Sequence, residues 1–285
     1  MDTTHRPAAT SYIVIPARLH SSRLPQKLLL RETGKSLIQH TYEAAQRARR
    51  PRGVCVAADC EEIAAEVRSF GGEVFLTSPT CASGTDRLAE VAPRLDGVEI
   101  VVNVQGDEPE LSGETIDLAV QLLEENPAAP MATLATPIRS RAQLHDPACV
   151  KVVLKKGSEL FSDNPTAAVL ALHSAENSSD PFLTLSALYF SRAPIPHARE
   201  WDDRLLAADP SHFFQHIGLY AYRREFLIKL AQTPRTPLEK LENLEQLRVL
   251  ESGHQILVGI VNEPTIGIDT PADYRAFVAR QRARL

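Results

Sequence analysis

Residues 11–27 read S-Y-I-V-I-P-A-R-L-H-S-S-R-L-P-Q-K. The first five are short, apolar and rich in β-branched side chains, the composition of a strand buried on both faces. A long polar loop follows in place of a tight hairpin turn, and it carries Arg18, Arg23 and Lys27. A helical pattern then starts at Ser36, with Leu37, Ile38, Tyr42 and Ala45 on one face and Ser36 and Gln39 at capping-box spacing. A buried strand that feeds a loop and then an amphipathic helix is the opening of a β-α-β unit, so this stretch sets the fold class.

Working outward, residues 54–58 form a second strand, 61–70 a helix ended by Gly71-Gly72, 73–76 a third strand, 86–95 a helix and 100–104 a fourth strand. The alternation predicts an α/β fold, a Rossmann-like, mostly parallel sheet with helices on both faces. Such sheets bind ligands at the C-terminal ends of their strands. Three unusual loops, at 16–27, 78–87 and 105–109, all fall at such ends. Beyond residue 130 the rhythm changes. Strands are expected at 131–136, 150–154, 185–190, 217–222 and 256–261, with a polar loop at 172–183. One helix is expected over 237–251, with Leu241, Leu244, Leu247 and Leu250 at every third residue, and a last helix from about Thr270. The expected organisation is a flexible tail over 1–10 and one domain over 11–285. That domain divides into a part over 11–130, a smaller α+β lobe over 131–262, and a closing strand and helix over 263–285.

Composition narrows the function. The chain has 285 residues, 44% of them hydrophobic, which is enough for a sizeable core. The formal net charge of −5 argues against a general nucleic-acid binder. Residues 1–50 nevertheless hold nine Lys/Arg against three Asp/Glu, a local excess suited to an anionic ligand. The cysteines, Cys55, Cys60, Cys81 and Cys149, form no C-x-x-C pair, so neither a disulfide framework nor a zinc site is expected; free thiols suit a cytoplasmic protein. There is no signal-peptide core and no run long enough to span a membrane.

The chemistry-bearing residues sit in the loops. Arg18, Arg23 and Lys27 can neutralise a triphosphate, since Arg offers forked donors and Lys a compact charge; a solvated basic loop is the plain alternative. Neither a P-loop nor a G-x-G-x-x-G fingerprint is present. Ser83 and Asp86 have the spacing of a helix start, and Gly84 beside it leaves free N–H groups for an anion or a base edge. In N-V-Q-G-D-E-P, residues 103–109, Gly106 permits close backbone approach. Asp107, at a strand end, is placed to hold Mg²⁺, or is simply a turn aspartate before Pro109. Asp269 precedes the helix start Thr270-Pro271-x-Asp273 and is not needed for the cap, so it is a candidate second carboxylate, or simply a surface aspartate.

Read together, the motifs I-P-A-R-L-H-S-S-R-L-P-Q-K (15–27), S-G-T-D-R (83–87), N-V-Q-G-D-E-P (103–109), S-R-A-P-I-P (191–196), H-I-G-L-Y-A-Y-R (216–223), L-E-N-L-E-Q-L-R (241–248) and D-T-P (269–271) stand in family order. The chain thereby resembles the 3-deoxy-manno-octulosonate cytidylyltransferase (CMP-Kdo synthetase) family. It departs at Gln26 and Leu28, where the family usually has Gly and Pro around the loop lysine, and in T-C-A before S-G-T-D-R. The resemblance implies an enzyme of lipopolysaccharide biosynthesis that joins CTP to Kdo with release of diphosphate, uses Mg²⁺ and forms a homodimer. It implies Arg18 and Lys27 as catalytic triphosphate ligands with Ala17 and Arg23 beside them. Gln105, Ser83, Gly84 and Arg87 lie near the nucleotide, and Asp107 and Asp269 are the catalytic metal ligands. Arg192, His216, Tyr220, Glu245 and Gln246 form the sugar pocket, in a lobe used for sugar binding and dimerisation. A cytidylyltransferase for another sugar acid, or a glycosyltransferase on the same type of sheet, stay open as alternatives. The latter often shows D-x-D where this chain has Q-G-D-E-P.

Overall fold

The computed structural model describes residues 10–156 and 185–284, so the polar loop at 172–183 and residues 1–9 lie outside the described residues. The strands are β1 (Ser11–Ala17), β2 (Val54–Ala58), β3 (Glu73–Leu76), β4 (Ile100–Asn103), β5 (Met131–Pro137), β6 (Lys151–Lys156), β7 (Leu185–Ser191), β8 (Phe214–Arg223) and β9 (Ile256–Ile260). The helices are α1 (Leu37–Ala45), α2 (Glu61–Ser69), α3 (Gly84–Val91), α4 (Gly113–Glu125), α5 (Arg141–His145), α6 (Arg204–Ala207), α7 (Arg224–Ala231), α8 (Pro237–Glu242), α9 (Gln246–Glu251) and α10 (Pro271–Ala283). Among the described residues no helix is long and apolar enough to cross a membrane. The chain forms two compact units, one of Met1–Glu124, Leu219–Gln232 and Thr265–Leu285, the other of Glu125–Gly218 and Thr233–Pro264.

In the first unit β1 is central. It pairs in parallel with β2 on one side and β4 on the other, and β2 pairs in parallel with β3. β2 and β4 are buried throughout, as unbroken apolar runs require, whereas Glu73 and Leu76 of the edge strand β3 are exposed. The second half of β8 runs antiparallel to β4, Asn103 opposite Tyr220 and Ile100 opposite Arg223. Tyr42 of α1 ties the strands together, its hydroxyl donating to the Val54 carbonyl at 2.9 Å and accepting from Glu73 N at 3.1 Å. Thr10, the residue before β1, accepts at its carbonyl from Glu99 N at 2.8 Å. The chain steps outward from β1 to β2 to β3 and returns on the other side of β1 for β4. The loops leaving β1 and β4 therefore diverge and open a crevice at their C-terminal ends.

The second unit contains β5, β6, β7, β9 and the first half of β8. Neighbours follow the order β8-β5-β9-β7-β6, and β6 pairs back onto β8 through Lys151 with Gln215 and Val152 with Phe214. The pairings close into a ring of five strands. A core of Ile138, Leu144, Cys149, Leu206 and Phe213 lies in the same unit, with Trp201 packed against it.

Two expected elements differ. Residues 237–251 are two helices, broken at Asn243 in the left-handed region (φ 52°). Leucines at every third residue drift by about 60° per step on a helix of 3.6 residues per turn, so one straight helix cannot bury all four. The break leaves Leu241 exposed and lets Leu244 and Leu247 be buried. Asparagine tolerates the left-handed turn better than most residues. Nor is there a strand within 263–270; the chain runs irregularly into α10.

Candidate active site

The basic loop is fixed at both ends. At its start Leu19 N donates to both Asp59 oxygens at 3.1 and 3.2 Å, and Asp59 N donates to the Ala17 carbonyl at 3.1 Å, so the end of β2 anchors the exit from β1. At its far end Lys27–Leu29 is a 3-10 turn with Leu28 buried. Gln26 leads into that turn at φ 51°, ψ 30°. The left-handed conformation explains why glycine suits this position; a glutamine there is strained by about 1 kcal/mol. The loop after β4 approaches closely because Gly106 has no side chain. A Cβ there would lie 3.2 Å from the Pro16 carbonyl and 3.5 Å from Leu28. Thr41 of α1 holds the turn by donating to the Gly106 carbonyl at 2.9 Å.

The closing segment completes the site. Ile268 N donates to the Asp107 carbonyl at 2.9 Å, which sets Asp269 beside Asp107. Thr270 and Asp273 form the expected capping box of α10, and Asp273 also accepts from Asp269 N at 3.2 Å. Both carboxylates converge on the ammonium of Lys27, which donates to Asp107 Oδ2 and, at 2.9 Å, to Asp269 Oδ1. Arg23 reaches the other Asp269 oxygen at 2.9 Å. Burial works to lower the Lys27 pKa, but the charges and hydrogen bonds of Asp107 and Asp269 outweigh it and hold the group above its ordinary value. Behind them Glu108 is buried, and that burial, with the Asp107 charge second, pushes its carboxyl up to about 8. Arg18, Arg23, Lys27, Gln105, Asp107 and Asp269 line one cleft of about 320 Å³, together with His20, Ser21 and Ser22, which sequence reasoning did not single out. Nothing in their pattern set the two serines apart from loop filler.

The donor set fits a hard divalent cation. Two carboxylates already converge on a single positive charge, and Mg²⁺ typically takes one or two carboxylates and completes its shell with water and substrate phosphates. Among the described residues no cluster of three or more His, Cys, Asp or Glu is placed to cage a metal.

The second loop plays a different part. Ser83 caps α3, accepting from Asp86 N at 3.2 Å, and a Cβ on Gly84 would lie 3.6 Å from Pro16. Arg87 is buried and donates to Thr77 Oγ1 at 2.5 Å and the Ser78 carbonyl at 3.3 Å. It braces the exit from β3, and neither it, Ser83 nor Gly84 lines the cleft.

Of the residues expected to hold a sugar, Tyr220 lies in the first unit, opposite Asn103 at the C-terminal end of β4. The other four are in the second unit. Glu245 is the N-cap of α9 and Gln246 its first, buried residue. Arg192 donates through Nε to the Glu242 carbonyl at 2.8 Å and through its terminal nitrogens to the carbonyls of Pro147 at 3.0 Å and Asn243 at 3.4 Å. Only three of the five N–H groups of a guanidinium are thereby engaged, and no carboxylate of the described residues forms an ion pair with it. His216 is buried, 3.0 Å from Thr133 Oγ1 and edge-on to Phe190. Burial drives its pKa down to about 3. The folded state therefore keeps a neutral ring while the unfolded chain takes up a proton below about 6.5, so stability falls as the pH drops through that window. His216→Gln is expected to remove a pH-dependent loss of about 2 kcal/mol between pH 7 and pH 5, read from urea unfolding at the two pH values. An equal pH slope in the two proteins would contradict this.

Comparison with known proteins gives the family. Residues 12–256 match the family model described as cytidylyltransferase, which gives the class. The chain is 48% identical over 269 residues to a 3-deoxy-manno-octulosonate cytidylyltransferase of Rhodopirellula baltica, covering 94% of this chain and 97% of the relative. A protein of the same name from Syntrophotalea carbinolica is 45% identical over 262 residues, covering 91% and 94%. A solved CMP:2-keto-3-deoxy-manno-octonic acid synthetase complexed with CTP matches with a TM-score of 0.79 at 36% identity, over 96% of this chain and 99% of that one. The chain belongs to the 3-deoxy-manno-octulosonate cytidylyltransferase family.

Proposed function

We propose that this protein joins CTP to 3-deoxy-manno-octulosonate, giving CMP-Kdo and diphosphate for lipopolysaccharide biosynthesis, and that it acts as a cytoplasmic homodimer. The observation that carries the reading is the convergence of Lys27, Asp107 and Asp269 beside Arg18 and Arg23 at the switch point between β1 and β4. Arg18, Arg23 and Lys27 neutralise the triphosphate and the charge that builds on departing diphosphate, with Ala17 at the strand end setting where the loop leaves the sheet. Gln105, in the loop beside Asp107, and the capped start of α3 at Ser83 and Gly84 lie toward the nucleoside, with Arg87 stiffening that loop from behind. Asp107 and Asp269 would hold Mg²⁺, which would supply charge neutralisation on the phosphate oxygens and acidify a nearby hydroxyl. Arg192 meets the sugar carboxylate with its unengaged N–H groups, and His216, Glu245 and Gln246 of the same unit supply further contacts to the sugar. The anomeric hydroxyl attacks the α-phosphorus in line and diphosphate leaves, so no covalent enzyme intermediate is needed. Positioning and charge carry the rate.

Purified protein is expected to release diphosphate only when CTP, Mg²⁺ and Kdo are all present. Release with a different sugar acid such as a sialic acid, and none with Kdo, would reassign the acceptor.

A further inference from the structure

Two of the motifs meet at Glu242. Its carboxylate accepts from Ser191 Oγ at 2.6 Å and from Arg192 N at 3.0 Å. Its own carbonyl, with that of Asn243, accepts from the Arg192 guanidinium. Glu242 is the last residue of α8; Asn243 turns the chain left-handed, and Glu245 and Gln246 begin α9 two and three residues further on. One side chain therefore joins the Arg192 loop to the elbow that presents Glu245 and Gln246. The opposite side of Arg192 is gripped by the buried Lys151, whose ammonium donates to the Arg192 carbonyl at 2.5 Å and to that of Asp146 at 3.0 Å. A charge-assisted pair of hydrogen bonds donated by a backbone N–H and a buried hydroxyl to one carboxylate is a strong, directional tie.

We propose that Glu242 is a positioning residue for the acceptor: it touches no reacting atom, but sets the spacing between Arg192 and the Glu245-Gln246 pair. This rests on the reading that those residues bind the sugar acid. The tie joins residues of the second unit, whereas the basic loop, Asp107 and Asp269 belong to the first, so loosening it is expected to change the KM for the acceptor and not that for CTP.

The experiment is steady-state kinetics of Glu242→Ala, Glu242→Gln and Ser191→Ala with Kdo and CTP varied separately, alongside thermal unfolding. Glu242→Ala is expected to raise the KM for Kdo about tenfold with the KM for CTP unchanged, since one charge-assisted contact is worth about that factor. Glu242→Gln, which keeps one acceptor, falls between it and wild type. Ser191→Ala gives a smaller shift in the same direction, and combining it with Glu242→Ala adds less than the sum. A lower Tm with both KM values unchanged, or with both raised together, overturns the proposal and leaves Glu242 a stability residue. Should Glu242→Ala not fold, Ser191→Ala decides on the same criterion. Wild type that turns over CTP with Kdo while Glu242→Ala keeps its Kdo KM refutes the positioning role alone; wild type inactive with Kdo refutes the sugar reading.

Discussion

Asp107→Asn is expected to lower kcat by on the order of 10³-fold while leaving the fold intact. The substitution conserves shape and the backbone bond from Ile268 N to the Asp107 carbonyl, so Asp269 stays beside it. What is lost is one of two negative charges that converge on the Lys27 ammonium. A site with two carboxylates has little redundancy for holding a divalent ion, and the remaining Asp269 is already shared between Lys27 and Arg23. Residual turnover should therefore need more Mg²⁺ to saturate. Thermal unfolding should move by only a few degrees, since the pair is partly exposed and its contribution is screened. Wild-type turnover in this variant would remove the metal-holding role from Asp107.

Lys27→Met is expected to reduce kcat/KM for CTP by about 10²- to 10³-fold, with KM and kcat both affected. Methionine keeps the length and apolar stem, so packing of the 3-10 turn on buried Leu28 survives. The variant loses the compact cation in the cleft and leaves Asp107 and Asp269 facing each other without the group that now separates them. Because the ammonium pKa is held above its ordinary value, no loss of charge on Lys27 should appear in the pH–rate profile of wild type near neutrality. Lys27→Arg should restore little, because a planar fork does not replace a point donor between two carboxylates. Unchanged kinetics with CTP in Lys27→Met would place the triphosphate elsewhere.

Much of this site was legible because its chemistry sits at strand ends. Arg18 and Asp107 each stand just after a short apolar run, and Lys27 closes the loop that leaves the first of them; period and composition locate such runs well. Asp269 stood out only as an aspartate that the α10 cap does not need, a place an ordinary surface aspartate could equally take, and the family resemblance alone implied a role for it. The link that puts it next to Asp107, the backbone bond from Ile268, was not legible, because a main-chain donor carries no side-chain signature. Arg87 shows the converse. Its motif is specific, yet the guanidinium braces Thr77 and Ser78, and which way an arginine points depends on tertiary packing. The elbow at Asn243 was hidden by the leucine spacing, which matches a helix for two steps and fails over four. The antiparallel entry of β8 beside β4 was likewise unreadable, since strand direction depends on segments far apart in the chain.

The ring of strands in the second unit bears on how the protein behaves when crowded. An open sheet offers a terminal row of unpaired amides that another molecule can extend, the first step of intermolecular β-addition. Every described strand of this unit is flanked on both sides, so templated growth must first break a seam. Two narrow seams are β6 on β8, held by two register pairs, and β7 on β9, held at Ser186 and Leu257. The first unit does have a bare outer strand, β3, but it is only four residues long and begins with a charged glutamate. Resistance to self-templating is thus obtained by closure in one unit and by brevity and charge in the other.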